Sequence, residues 1–174
     1  MLKPSLFALA VALLAACSDG GDKGAGHATS GLAGKPVGGD FVLQSATGPI
    51  DTRALRGTVL LVYFGYANCP DICPASLAAG AQALNALTAE ERARTKLIMV
   101  SVDPERDTPA RLKEYAAYFH PEMIGVTGSA EEIAAVARAF GAGYIRQPAR
   151  PDGSYAVDHT TRTYVVAPDG SLAA

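Results

Sequence analysis

Net charge is nearly absent: 15 Lys and Arg stand against 17 Asp and Glu over 174 residues, a formal charge of −2. Without a broad basic field the chain has nothing to draw in a phosphate backbone or an anionic surface, so no nucleic-acid partner is expected. Cysteine is scarce as well. Only Cys17, Cys69 and Cys73 occur, which excludes a structural zinc site built on four thiolates. No internal repeat is present. About half the residues are apolar, and a length of 174 suits one compact domain with accessories, since domains run to roughly 100 to 150 residues.

The one long apolar run, in residues 1–17 (MLKPSLFALAVALLAAC), is too short to cross a hydrocarbon core of about 30 Å as a stable helix. It reads as an export signal. Its ending, Leu14-Ala15-Ala16-Cys17, resembles the bacterial lipobox, so Cys17 is expected to take a lipid and become the mature N-terminus. That places the protein in the bacterial cell envelope, lipid-anchored to a membrane and facing the periplasm or extracytoplasmic space. Residues 18–35 are rich in Gly, Ala, Ser and Asp and cannot bury enough surface to order themselves, which makes them a flexible tether. His27 falls there and reads as a solvated residue. The folded domain is expected over 36–174.

Within it, Thr58–Phe64 is a β-branched and aromatic run between Gly57 and Gly65, the mark of a strand buried on both faces. Residues Pro74 to about Arg94 read as one helix, with Pro74 in its first turn. A second buried strand is expected over Lys96–Val102 and a helix from Thr108 to Phe119, opened by a Thr-Pro cap. A short strand at Met123–Val126 precedes a helix that begins with a capping box at Ser129 and stops near Gly141 or Gly143. Residues Tyr144–Arg146, Ser154–Val157 and Thr161–Val166 read as strands, plausible antiparallel neighbours. Strand and helix alternating first, with hairpin material last, predicts an α/β sandwich around a central mixed sheet. Its functional residues are expected on loops at strand ends.

The chemistry concentrates in Gly65-Tyr-Ala-Asn-Cys69-Pro-Asp-Ile-Cys73-Pro74, between the central strand and the first helix. Two thiols four positions apart at a helix N-terminus face the same way and reach one ion or each other. The helix dipole favours thiolate, which suits metal ligation and thiol exchange alike. A plain stabilising disulfide would close only a tiny loop and gain little from it. Catalytic dithiols of the thioredoxin type have two intervening residues, and this chain has three, a spacing that leans towards a metal. Two thiolates select a soft ion, and in an exported protein copper(I) is the natural soft candidate. A third ligand is then needed. By position alone His159 is as good a loop histidine as a ligand, while His120 reads as a helix C-terminal residue favoured by the dipole. Met99 and Met123 lie in apolar runs and read as core. Asp103 and Asp107 should position their loop or cap the next helix.

Three stretches together resemble the Sco/SenC family of copper chaperones: Tyr63-Phe-Gly-Tyr66 with Cys69-Pro-Asp-Ile-Cys73-Pro74, Ser101-Val-Asp-Pro-Glu-Arg-Asp-Thr-Pro109, and Val157-Asp-His-Thr160. The resemblance covers roughly residues 35–170. It implies a thioredoxin-like fold and copper, as Cu(I) or Cu(II), bound by Cys69, Cys73 and His159, with Cys69 and Cys73 also able to form a redox disulfide. It further implies work on the dinuclear copper site of cytochrome c oxidase, by delivering copper to the copper-accepting subunit or by reducing its cysteines. An upstream copper donor or thiol reductant would stand behind it. The chain stops soon after its Pro168-Asp-Gly170 turn, where relatives usually continue through another strand and a closing helix, so part of the sheet is expected to be exposed or the sequence to be a fragment. An exported thiol:disulfide reductase, with His159 incidental, is the rival reading. A thiol peroxidase ranks last, for Asn68-Cys69-Pro70 offers neither the Thr nor the Arg that a peroxidatic cysteine needs. A redox sensor would show the same accessible dithiol.

Overall fold

The central strand forms where the β-branched and aromatic run predicts it. A computed structural model describes residues 37–174, and in it this strand, β3, spans Val59–Gly65. Strand β4 (Thr95–Ser101) lies parallel to it, with Val59 opposite Thr95 and Gly65 opposite Ser101. Strand β5 (Ile124–Val126) continues the parallel set beyond β4, while β8 (Thr163–Val166) flanks β3 antiparallel, giving the order β5-β4-β3-β8. The sheet is therefore mixed. The export signal, Cys17, the tether and His27 lie outside the described residues, and no helix among those described is long and apolar enough to cross a membrane.

Alternation along β3 sends Tyr63 to one face and Phe64 to the other. On the Tyr63 side, α1 (Ile72–Ala86) brings Gly80 against Leu97 of β4, and α3 (Pro109–Phe119) brings Leu112 against Gly125 of β5. Across the sheet, α4 (Ala130–Phe140) inserts Phe140 between Phe64 and Tyr164, with ring centroids 5.7 Å from each. The result is an α/β sandwich of three layers, and Met99 and Met123 are buried in it as expected. Helix α4 opens on the Ser129–Glu132 capping box and ends at Gly141, whose φ of 67° is left-handed, so the stop falls at the first of the two glycines.

The structure corrects the sequence reading at three places. The helix expected to continue to Arg94 breaks after Ala86, and a short helix, α2 (Ala89–Ala93), restarts behind Thr88. Thr88 accepts from the Glu91 N–H and the Glu91 carboxylate accepts from the Thr88 N–H, a local box that ends one helix by starting another. Ahead of β3 stands a hairpin with no counterpart in the expected elements: β1 (Val42–Ser45) and β2 (Gly48–Asp51), joined to the main body by a bridge between Gln44 and Thr127. His120 ends α3 as expected; it is buried, and its Nδ1 accepts from the Glu122 N–H, so the ring also shapes the next turn. Finally, the strand read over Ser154–Val157 lies further on: β7 is Val157–His159, antiparallel to β6 (Tyr144–Arg146).

Candidate metal centre

The cysteine loop leaves the C-terminal end of β3, where the parallel strands open outward. Cys69 lies in that loop, partly buried, and Cys73 sits in the first turn of α1, fully buried. Both are free thiols. The Cys73 N–H points at Cys69 Sγ from 3.5 Å, so an orphan donor of the helix start serves the Cys69 sulfur. Gly65, the last residue of β3, makes room: a Cβ there would stand 2.8 Å from Cys73 Sγ and 2.8 Å from the Tyr63 ring.

His159 arrives from the far end of the chain on β7. Its Nε2 lies 3.2 Å from Cys73 Sγ, and its Nδ1 lies 3.0 Å from the Thr160 carbonyl oxygen. A carbonyl can only accept, so Nδ1 carries a proton and Nε2 is the ring atom that faces the sulfurs. Nε2 is thereby the nitrogen left for a metal, with the ring held by its own backbone. The rings of Tyr63 and Tyr66 stand edge-on to the imidazole at 6.0 and 5.8 Å. The Tyr63 hydroxyl reaches Cys73 Sγ at 3.8 Å.

The two sulfurs and the imidazole nitrogen all lie within 4.8 Å of one another. Two soft thiolates and one borderline nitrogen suit copper(I), and the imidazole also suits copper(II). The donor set fits copper better than a hard cation, which would require oxygen ligands. A shallow groove of about 420 Å³ opens beside it, lined by Tyr66, Cys69, Pro70, Ile72, Val157 and His159 among others. Cys69 and His159 therefore border solvent, while Cys73 lies behind them.

The thiols differ sharply. Burial raises Cys69, but a hydrogen bond with His159 and the backbone N–H groups of Cys73 and Asp71 outweigh it and bring the thiol down to about 7. Burial dominates at Cys73 and pushes it up to about 12, with the neighbouring Cys69 sulfur adding to the rise. The less buried sulfur is thus a ready thiolate and the fully buried one holds its proton until a partner takes it.

Of the residues singled out in the sequence, the structure brings Cys69, Cys73 and His159 together and leaves His120 and both strand methionines elsewhere, in the interior. Asp107, fully buried, accepts from the Ala67 N–H at 2.9 Å and the Ser101 hydroxyl at 2.7 Å, so it ties the cysteine loop to the end of β4. Asp103 pairs with Arg106 and accepts from the Tyr155 hydroxyl at 2.7 Å. Both carboxylates hold loops, as one branch of the expectation had it. Arg106 and Tyr155 escaped the sequence reading, since neither is a ligand type and they meet only in the folded chain.

The family pattern described as SCO1/SenC matches residues 29–174. The "Protein SCO2 homolog, mitochondrial" of Bos taurus is 42% identical over 134 residues, 76% of this chain and 50% of that protein. The chain thus spans about half the length of that relative. The copper-bound structure of Bradyrhizobium japonicum ScoI superposes with a TM-score of 0.74 at 37% identity, covering 79% of this chain and 87% of that one. BsSco, described as a member of the Sco family of cytochrome c oxidase assembly proteins in which a disulfide switch was identified, aligns with a TM-score of 0.58 at 30% identity, over 77% of this chain and 78% of its own. These relatives are thioredoxin-like, and the mixed sheet with helices on both faces is that fold. With the family pattern running through the cysteine loop, the segment 101–109 and the His159 strand, the chain belongs to the SCO1/SenC family.

Proposed function

We propose that this protein carries copper on Cys69, Cys73 and His159 and acts in the assembly of the dinuclear copper site of cytochrome c oxidase. The observation that carries this reading is the convergence of two sulfurs and one imidazole nitrogen within 4.8 Å, beside a groove. A copper-bound relative with the same fold supports it. Cys69 offers a thiolate at neutral pH, while Cys73 must give up a proton when the ion arrives, so loading releases a proton and strengthens as pH rises. His159 adds a nitrogen donor that permits copper(II) as well as copper(I). Oxidation of the two thiols to a disulfide would remove two of the three donors and release the metal, which makes the carrier redox-gated.

A second reading, reduction of the acceptor's cysteines, is favoured by the contrast between the two thiols. The Cys69 thiolate would attack an acceptor disulfide to form a mixed disulfide. Cys73 would then lose its proton and close the internal disulfide, and the acceptor would leave as a dithiol. Two electrons pass from this chain to the acceptor, so a thiol reductant must regenerate the pair. Copper delivery would instead require an upstream donor of the metal. The apolar start of the chain and Cys17 support a lipid anchor holding this chemistry at the outer side of a bacterial membrane; mass analysis of the detergent-extracted protein for a diacylglyceryl group on Cys17 tests that part.

The deciding experiment is an anaerobic copper(I) titration of the reduced protein beside its Cys69→Ser, Cys73→Ser and His159→Ala variants. One copper per chain, lost in each cysteine variant and weakened in the histidine variant, is the expected result. Turnover of disulfides with no retained copper would overturn the carrier reading in favour of the reductase.

A further inference from the structure

His159 rides on a ribbon that stands apart from the main sheet. Strands β6 and β7 form a sheet of their own, three residues each, outside the main four-stranded sheet. The Gln147 N–H on the Ala156 carbonyl and the Thr160 N–H on the Gly143 carbonyl extend it at both ends, yet a two-stranded ribbon by itself is only marginally stable in water. That leaves room for support from outside it.

The contacts of Arg106 supply it. Its Nε donates to the Asp103 carboxylate at 2.5 Å, which anchors the guanidinium to the loop after β4. Its Nη1 donates to the Tyr155 carbonyl at 3.0 Å, and its guanidinium carbon stands 3.6 Å from the centroid of the Tyr155 ring. The Tyr155 hydroxyl closes the loop by donating to Asp103. A second guanidinium, Arg146, lies 3.9 Å from the same centroid and pairs with Glu105, so the ring is clasped by two cations held in turn by two carboxylates. Arg106 also approaches the Tyr66 ring at 5.7 Å. Tyr66 accepts from the Val157 N–H at 3.3 Å and stands edge-on to His159. Both ends of the approach to β7 are therefore held, at Tyr155 by Arg106 and at Val157 by Tyr66, with Arg106 beside both rings.

We propose that Arg106 is a positioning residue for the copper site: by clasping Tyr155 it sets where strand β7 lies and hence how close His159 comes to Cys69 and Cys73. The inference rests on the copper reading of those three residues. Arg106 touches none of them, and its hydrogen bonds run to Asp103 and Tyr155, so its effect passes chiefly through the imidazole. Removing it should weaken the form of the site that depends on nitrogen, copper(II), and largely spare copper(I), which two thiolates retain. Outer residues that orient a metal-binding histidine typically change metal affinity by about 10- to 100-fold.

The test measures, on the full chain, copper(II) affinity by competition, the thiolate-to-copper(II) absorption band, and copper(I) stoichiometry, for the wild type, Arg106→Gln, Tyr155→Ala, Tyr155→Phe, His159→Ala and Arg106→Gln combined with His159→Ala. Arg106→Gln and Tyr155→Ala should each lower copper(II) affinity by about 10- to 100-fold and shift the band towards that of His159→Ala, with about one copper(I) still bound. Tyr155→Phe, which keeps the stacked ring, should restore most of the wild-type band. In the His159→Ala background Arg106→Gln should change nothing further. An unchanged band and affinity in Arg106→Gln and Tyr155→Ala, with His159→Ala altered, would overturn the inference alone. Equal loss of copper(I) and copper(II) in both variants would overturn it too, since that marks general disruption. If His159→Ala itself has no effect, the reading of the site fails first.

Discussion

His159 Nε2 stands 3.2 Å from Cys73 Sγ across 86 residues of chain. The contact joins two independent supports, the first turn of α1 and the ribbon strand β7. Each can be disturbed without touching the other, and the consequences differ.

The cysteine side should show its asymmetry in metal-free protein. Cys69 is lowered to about 7 from an ordinary value of 9.0, against burial, by His159 and two backbone N–H groups, while burial raises Cys73 to about 12. Alkylation by iodoacetamide should therefore modify Cys69 first, with a rate that climbs through a midpoint near pH 7, read by peptide mass analysis. The sign for stability follows: the folded state holds its Cys69 proton less tightly than the unfolded chain, so this contribution is complete above pH 9 and lost as pH falls through 7. Preferential labelling of Cys73, or a midpoint near 9, would refute the assignment.

Asp107 should be costly to remove without being a ligand. It is fully buried and takes hydrogen bonds from the Ala67 N–H and the Ser101 hydroxyl, with Arg111 Nε 3.5 Å from its other oxygen. Asp107→Ala leaves both donors without their acceptor, and each buried orphan costs about 1 to 3 kcal/mol. A loss of about 3 kcal/mol in denaturant unfolding is expected, together with a looser cysteine loop. A change under about 0.5 kcal/mol, the range of an ordinary surface substitution, would show that the carboxylate is not holding the loop.

The difference between what the sequence disclosed and what it hid has a physical basis. Metal ligands must be particular residue types, so Cys69 and Cys73 could be named from one short motif and His159 once the family resemblance was drawn, and the buried strands β3 and β4 announce themselves by their composition. Arg106 and Tyr155 are ordinary residues 49 positions apart whose meaning lies in one stacking contact. No local pattern encodes that. The helix break at Thr88 was written locally, as Thr88-Ala-Glu-Glu91, but the Ala-rich composition on both sides reads as continuous helix. In the hairpin β1–β2, Leu43 is buried while its neighbours Val42 and Gln44 face solvent, too short an alternation to stand out. Tertiary packing, not periodicity, makes it a strand.

Gly65 offers a steric test of the same cradle. An added methyl would meet Cys73 Sγ and the Tyr63 ring, both at 2.8 Å and both buried. Overpacking of this kind costs about 1 to 3 kcal/mol, so Gly65→Ala should lower the unfolding midpoint and push Cys73 away from His159. Reduced copper(I) retention is expected beside the stability loss. A variant that keeps full stability and full copper binding would mean that the thiol relocates freely, contrary to the packing around it.

Delivery and reduction, finally, part company at Cys73. If the protein reduces an acceptor disulfide, Cys69 forms the mixed disulfide and Cys73 resolves it, because Cys69 is the less buried sulfur and the ready thiolate. Cys73→Ser should then trap a covalent adduct with an oxidised peptide bearing an acceptor cysteine pair, visible as a mass gain reversed by dithiothreitol, and Cys69→Ser should trap none. A carrier acting only by copper transfer predicts a different pattern. The adduct would be slow in both variants, and copper(I)-loaded wild type would pass its ion to the reduced peptide without forming the Cys69–Cys73 disulfide. Rapid trapping by Cys73→Ser together with copper transfer from the wild type would mean that the two activities share one site and differ only in whether the thiols arrive loaded. That outcome follows naturally from a low-pKa cysteine placed beside a metal-ready histidine.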